Sequence, residues 1–250
     1  MEIPSAQPTD SLAPQQYWDH GYENVSLKIV PPRERVRIWL EKHLPPGSGS
    51  ALELGCFPGR YLAVLGELGY ELNGIDLTPR VEIDLPKWIK KCAYRMGKIV
   101  LADMWTHDFK RQFDVVASFG LIEHFETWPE LLRRHAQLVK QGGWLVVMVP
   151  NFRGAIQQFL HGWLDRDNLA RHNLQAMDPQ AWAKVVQPLG FNPVFCGCFG
   201  RFDFWAGGQK GLTLAQRIAL RIIWKSIPFL RILPDAYAYS PYYGLIAQKV

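Results

Sequence analysis

Cysteine is scarce in this chain. Its four residues among 250, Cys56, Cys92, Cys196 and Cys198, are too few and too scattered to staple a disulfide scaffold. Cys196-Gly-Cys198 has no second ligand pair for zinc, so reduced, buried thiols are expected. Apolar runs are also short. None is long enough to cross a bilayer. The start, Met1-Glu-Ile-Pro-Ser-Ala-Gln-Pro8, lacks the basic residues and apolar stretch of a secretion signal, so a cytoplasmic location is the expectation. The Gly-x-Gly-x-x-Gly fingerprint of nicotinamide-dependent dehydrogenases is missing, which disfavours that class. There is no internal repeat and no low-complexity tract. The most local absence is of acid. Between Trp205 and Pro234 no Asp or Glu occurs, while Lys210, Arg217, Arg221, Lys225 and Arg231 equal the whole net charge of +5.

What is present reads as one α/β domain, since this length can bury an ample core. Residues 1–15 are polar, proline-bearing and without periodicity, so a loose N-terminus is expected. Within a helical segment 16–50, Pro31-Pro32 opens a helix over 33–44 that Pro45-Pro46-Gly47 ends. Between 51 and 150 strands and helices alternate. Strands are expected at 51–55, 71–76, 98–102, 113–119 and 144–149, and helices at 60–68, 81–93 and 128–140. Thr127 and Glu130 read as a capping box, and Gly142-Gly143 as the stop of that helix. Such alternation implies a doubly wound, mostly parallel sheet. Insertions at 151–177 and 201–238 follow the fifth and sixth strands. A helix from Asp178 to about Leu189, a strand near 193–198 and a last strand over 242–250 bring the sheet to seven strands.

The richest stretch is Ala51-Leu-Glu-Leu-Gly-Cys-Phe-Pro-Gly-Arg60, followed by Gly74-Ile-Asp76-Leu-Thr. An apolar strand ends in a glycine turn and a helix follows, so a ligand can approach the main chain and meet the helix's amide end. Asp76, ending the next strand, is placed to accept hydrogen bonds from a ribose diol. Here the sequence resembles the class I S-adenosylmethionine (SAM)-dependent methyltransferases. Glu53-x-Gly55-x-x-x-Gly59 is similar to their first motif, and Asp76 to their ribose-binding acid. Val100-Leu-Ala-Asp103-Met104 is similar to the adenine segment, and Phe113 to His124 to the strand and loop beneath the methyl group. Gln141 to Asn151 resembles the fifth strand. The resemblance implies a Rossmann-like methyltransferase fold with SAM as cofactor. It also implies cofactor contacts from Glu53, Gly55, Gly59, Asp76, Leu77, Asp103, Met104 and Phe119. Within that set Glu53 is expected to bond loop amides, and Met104 and Trp105 to flank the adenine. One departure stands out: Phe57 occupies a position that is usually glycine in the family.

Methyl transfer from a sulfonium is an in-line displacement in which positive charge disappears, so positioning supplies most of the rate. A hydroxyl acceptor must also lose a proton, which calls for a general base. His124, after the fourth strand, is the first candidate, with Glu123 beside it to orient it. His172 is the second candidate. Gly120 stands where metal-using members of the family place an acid, so no metal is expected. The first insertion holds His161, Asp165, Asp167, His172 and the rings of Phe152, Phe159 and Trp163. It is expected, with the second insertion, to form a lid over the acceptor. The second insertion is amphipathic. Leu214, Ile218 and Ile222 recur on one stripe and Arg217, Arg221 and Lys225 on another, and Pro228 is expected to break the helix. The stretch 213–233 suits peripheral contact with an anionic membrane, on the inner face, or with a lipid-linked substrate. A lid or a homodimer face are the alternatives, and nucleic acid is disfavoured because no recognition module surrounds the basic stripe.

The expected activity is therefore SAM-dependent methylation of a small-molecule hydroxyl. A sugar or glycolipid or natural-product precursor is preferred, by loose resemblance to methyltransferases of those pathways. A quinone-type phenol and a non-catalytic SAM-binding scaffold are the alternatives.

Overall fold

The computed structural model describes residues 11–250. Seven strands form one sheet: β1 (Ser50–Leu54), β2 (Glu71–Asp76), β3 (Met96–Leu101), β4 (Phe113–Phe119), β5 (Val139–Pro150), β6 (Phe191–Phe199) and β7 (Tyr242–Lys249). Their order across the sheet is β3-β2-β1-β4-β5-β7-β6. The pairs β1–β2, β2–β3, β1–β4 and β4–β5 are parallel, and β7 runs antiparallel to both β5 and β6. Every residue of β1 is buried, as its unbroken apolar run requires of a central parallel strand. The strand order doubles back between β1 and β4. Their carboxyl ends therefore open on the crevice where doubly wound sheets hold ligands.

The helices are α1 (Gln15–Tyr22), α2 (Arg35–His43), α3 (Leu62–Glu67), α4 (Arg80–Ile83), α5 (Leu85–Lys91), α6 (Trp128–Leu138), α7 (Ala155–Leu164), α8 (Arg166–Leu169), α9 (Pro179–Val186) and α10 (Leu214–Leu230). Val36, Leu40, Leu62, Leu65 and Ile89 pack on one face of the sheet, and Leu131, Leu132, Trp182 and Val186 on the other. A third apolar cluster, Leu160, Leu164, Phe202, Phe204, Leu220 and Ile227, joins the two insertions to each other. No described helix is long and apolar enough to cross a membrane.

Several local expectations are corrected. Residues 1–10 of the supposed loose N-terminus lie outside the described residues. Ser11, however, bridges Phe125 and the Leu12 amide donates to the His124 carbonyl at 2.8 Å, so 11–15 are tied to the body. Helix 81–93 is two helices, α4 and α5, with Asp84 between them. The Gly142-Gly143 pair does not end α6. The chain leaves that helix at Val139, which already pairs with Phe113, and a register shift carries the glycines inside β5. Glu130 does not complete a capping box but pairs with Arg133 at 3.0 Å. The capping box that does form is Thr213 with Gln216, at the start of α10. That helix runs through Pro228, which lies in its last turn; the Arg231 amide still reaches the Ile227 carbonyl at 2.9 Å. Of the cysteines only Cys56 is buried, the others being half-buried.

Candidate active site

A cavity of about 250 Å³, open to solvent, lies at the carboxyl ends of β1, β2 and β4. Glu53, Gly55, Gly59, Asp76, Leu77, Asp103, Met104 and Phe119 all line it, so the fold gathers the whole set of sequence-derived cofactor residues around one space. Gly55 and Gly59 take φ of +70° and +79°, left-handed values that favour glycine. A Cβ on Gly59 would stand 2.4 Å from the Leu85 side chain. The loop is thus shaped by glycine at both points.

The three acids of the site have different surroundings. Asp76 accepts from the Phe57 amide at 2.9 Å and from the Thr78 amide at 3.1 Å, and so fixes the loop after β1. Burial raises its pKa to about 6, against the lowering effect of those amide bonds. Glu53 is buried, and burial together with the Asp76 charge pushes its carboxyl well above the usual range. Its Oε2 is buried with no hydrogen-bond partner among the described residues, and the residue lines the cavity. Asp103 accepts from the Trp105 amide at 2.9 Å. Met104 lines the cavity, whereas Trp105 does not and packs against Phe125.

Phe57 leaves the loop passable. Its ring lies beneath the Arg80 guanidinium, 5.1 Å away, and against Tyr22 at 5.0 Å. Its amide supplies the bond to Asp76. An aromatic side chain in place of glycine therefore becomes part of the wall.

The roof differs from expectation. No residue of 151–177 or 201–238 lines this cavity; Ser11, Ala13, Gln15, Trp18 and Tyr22 cover it instead. These residues were missed, along with Arg60, Tyr61, Leu121 and Phe125. The one available signal was Trp18 with Tyr22, an i,i+4 aromatic pair that stacks at 6.0 Å. Arg171 of the first insertion lies over the Tyr17 ring at 4.2 Å, so the insertion buttresses the roof from outside.

Neither His124 nor His172 lines the cavity, yet the fold brings them together behind it. A short 3₁₀ turn, Ile122–His124, follows β4. The first insertion docks on that turn through the Asn173 amide, which donates to the Glu123 carbonyl at 2.7 Å. The two imidazoles then stand 4.5 Å apart. His124 Nδ1 donates to the Arg171 carbonyl at 2.9 Å and His172 Nδ1 to the Asn168 carbonyl at 2.7 Å. Each neutral ring therefore carries its lone pair on Nε2. Donor atoms of Glu123, His124 and His172 all fall within 4.8 Å of one another, a grouping that could hold a metal ion. Burial lowers the pKa of His124 to about 3 and of His172 to about 4, and raises that of Glu123 to about 8. Both Glu123 oxygens are buried without a hydrogen-bond partner among the described residues. This carboxyl lies beside Gly120, which lines the cavity. A Cβ there would meet nothing described within 4 Å except Glu123 Oε1, at 3.6 Å.

Residues 30–194 match the family described as a methyltransferase domain, and the chain belongs to that family. Its cofactor is S-adenosylmethionine. Among curated relatives, a ubiquinone biosynthesis O-methyltransferase of Thiobacillus denitrificans is 27% identical over 141 residues, covering 54% of this chain and 58% of that one. Its counterpart in Stutzerimonas stutzeri is 26% identical over 133 residues, covering 51% and 55%. The chain thus spans a little over half the length of these relatives. Among solved structures, a SAM-dependent methyltransferase from Archaeoglobus fulgidus superposes with a TM-score of 0.55 at 21% identity, over 86% of this chain and 93% of that one. The N-methyltransferase NodS from Bradyrhizobium japonicum, in complex with S-adenosylhomocysteine, gives 0.54 at 14% identity, over 96% and 94%. These likenesses show the fold.

The cavity fits the cofactor on its own terms: two glycines at positive φ, an unpartnered buried carboxylate oxygen and a strand-end acid converge there. One pH dependence follows from Asp76. If Asp76 holds the ribose, hydroxyls donating to it favour its ionised form, and cofactor binding is expected to weaken as pH falls through about 6 and to level off above it. Calorimetry between pH 5 and pH 8 checks this. Affinity that is flat across the range would remove Asp76 from the ribose contact.

Proposed function

We propose that the chain methylates the hydroxyl of a small aromatic acceptor of the quinone-type phenol class. The observation that carries this reading is the aromatic wall of the cavity, where Trp18, Tyr22, Tyr61, Phe119 and Phe125 converge. Flat apolar walls suit a ring, while a sugar needs a larger set of polar partners. The names of the curated relatives favour the same alternative over the sugar or glycolipid hydroxyl expected from sequence.

The cofactor supplies a sulfonium methyl group: the new O–C bond forms as the C–S bond breaks, leaving a methyl ether and S-adenosylhomocysteine. Residues of this chain hold the acceptor oxygen in line and take its proton. Asp76, ionised above about pH 6, places negative charge beside a cationic ligand. The acceptor hydroxyl gives its proton, through a bridging water, to the Glu123 carboxylate beside Gly120, which becomes the carboxylic acid next to His124 and His172. The histidines contribute as neutral hydrogen-bonding partners, while Glu123 is the strongest base of the three because burial lifts its pKa towards that of a phenol. This reading keeps the sequence expectation that no metal takes part. It places the enzyme in the cytoplasm, with peripheral contact on the inner membrane face where an apolar acceptor would concentrate.

Transfer of labelled methyl to a panel of acceptors tests the proposal. Turnover is expected with catechols or hydroquinones and not with sugar nucleotides or glycolipid precursors. Preferential labelling of a sugar reverses the assignment. Tight cofactor binding with no transfer to any acceptor favours the scaffold alternative.

A further inference from the structure

The helix α10 packs with only part of its surface. Leu220 and Ile227 face inward on Leu160 and Leu164 of α7, in the cluster that joins the two insertions. Leu214, Ile218, Ile222 and Phe229, spaced one or two helical turns apart, recur along a different side, which the fold leaves in solvent. Leu214 is 75% exposed, Ile222 60% and Phe229 79%, and Ile232 just beyond the helix is 84% exposed. Large apolar side chains gathered on one exposed face mark an interaction surface, whereas single ones are ordinary. Arg217, Arg221 and Lys225 are exposed along the edge of that face and form no ion pair among the described residues. Arg231, by contrast, is partly neutralised by Asp203 at 3.3 Å.

We propose that this face of α10 docks on an anionic lipid bilayer, with its apolar side chains entering the interface and the three cations meeting lipid head groups. The charge pattern selects this occupant. A second copy would bring the same three cations into the contact from an acid-free segment, so like charges would gather where an isologous interface forms. A bilayer with anionic lipid accepts both the cations and the apolar row. The apolar row with flanking cations also argues against nucleic acid, which needs the cations on the contact face itself. The surface stands apart from the acceptor assignment, because neither α10 nor its flanks line the cavity.

Flotation of the whole chain with phosphatidylcholine vesicles, with and without phosphatidylglycerol, tests the proposal without any methyl acceptor. The wild type is expected to float with the anionic vesicles at low salt and to be released as salt shortens the screening length. The variant Arg217→Gln/Arg221→Gln/Lys225→Gln is expected to bind about tenfold more weakly or worse. The variant Ile218→Ser/Ile222→Ser is expected to lose binding at low salt as well. All substituted positions are exposed, and an unchanged circular dichroism spectrum and melting temperature verify the fold. Absence of flotation, equal binding of neutral and anionic vesicles by the wild type, or equal binding by wild type and folded variants overturns the proposal. So does a stable dimer in sedimentation that either variant dissociates.

Discussion

Glu123→Gln is expected to lower turnover by about 10²–10⁴-fold while cofactor affinity stays within a few-fold of wild type. The carboxyl is fully buried, lacks any hydrogen-bond partner among the described residues, and lies beside Gly120, which lines the cavity. Glutamine keeps its size and removes its basicity, so a loss of rate with an intact fold isolates proton transfer from packing. The pH profile carries the sign. Burial holds the Glu123 pKa at about 8, so the competent carboxylate increases as pH rises through that value, and wild-type turnover should increase with it. The histidines titrate near pH 3 and pH 4 and predict no inflection near neutrality.

Two further arms separate the roles within the cluster. His124→Gln and His172→Gln are expected to cost less than the Glu123 substitution, because each removes one neutral partner. If all three variants keep turnover within a few-fold, the acceptor's proton leaves by another route. Treatment with a chelator is expected to leave turnover unchanged. Loss on chelation with recovery on adding a divalent cation would make Glu123, His124 and His172 ligands, a role their grouping within 4.8 Å permits.

The gathering of the glycine turn and the strand-end acid around one cavity was legible because its parts are local. A strand ending at Leu54, a glycine turn and an acid ending the next strand follow from short-range pattern, and parallel pairing of β1 with β2 then places Gly55 and Asp76 together. Phe57 broke the pattern, but its ring found a place between Arg80 and Tyr22, two partners distant in sequence. The roof was not legible for the same reason in reverse. Residues 11–22 carry little periodicity, and their position depends on long-range bonds such as Leu12 to His124 and Arg80 to the Tyr22 carbonyl. The insertions were expected over the acceptor from chain order alone. Their own core, Leu164 with Phe204 and Ile227, instead draws them together beside the cavity, and only the 171–173 stretch reaches the site from behind. For α10 the amphipathic pattern was visible, but sequence does not tell which side a helix buries. Leu220 and Ile227 turned out to be inside, leaving the Leu214–Ile218–Ile222 row exposed.

Asp76→Ala is expected to weaken binding of both S-adenosylmethionine and S-adenosylhomocysteine by about 10–150-fold, the equivalent of losing roughly 1.5–3 kcal/mol of charge-assisted hydrogen bonding. Two effects combine in that figure. The ribose hydroxyls would lose the acceptor assigned to them, and the Phe57 and Thr78 amides lose theirs, so the loop after β1 is no longer held to the end of β2. Asp76→Asn distinguishes the two. Its carbonyl oxygen can still accept from one amide, so loop order should be partly kept while the charge is lost. Most of the affinity should therefore go with the charge if ribose binding dominates. Removing a buried carboxyl also changes stability with a definite sign. Its pKa is raised from 3.8 to about 6 in the fold, so the native state holds its proton more tightly than the unfolded chain does. Stability from this group is present at low pH and is lost as pH rises through about 6. Calorimetric titration of wild type and both variants, with melting curves at pH 5 and pH 8, reads both effects. Unchanged affinity in Asp76→Ala would show that the ribose is held elsewhere, and the cavity's acid would then serve only the loop.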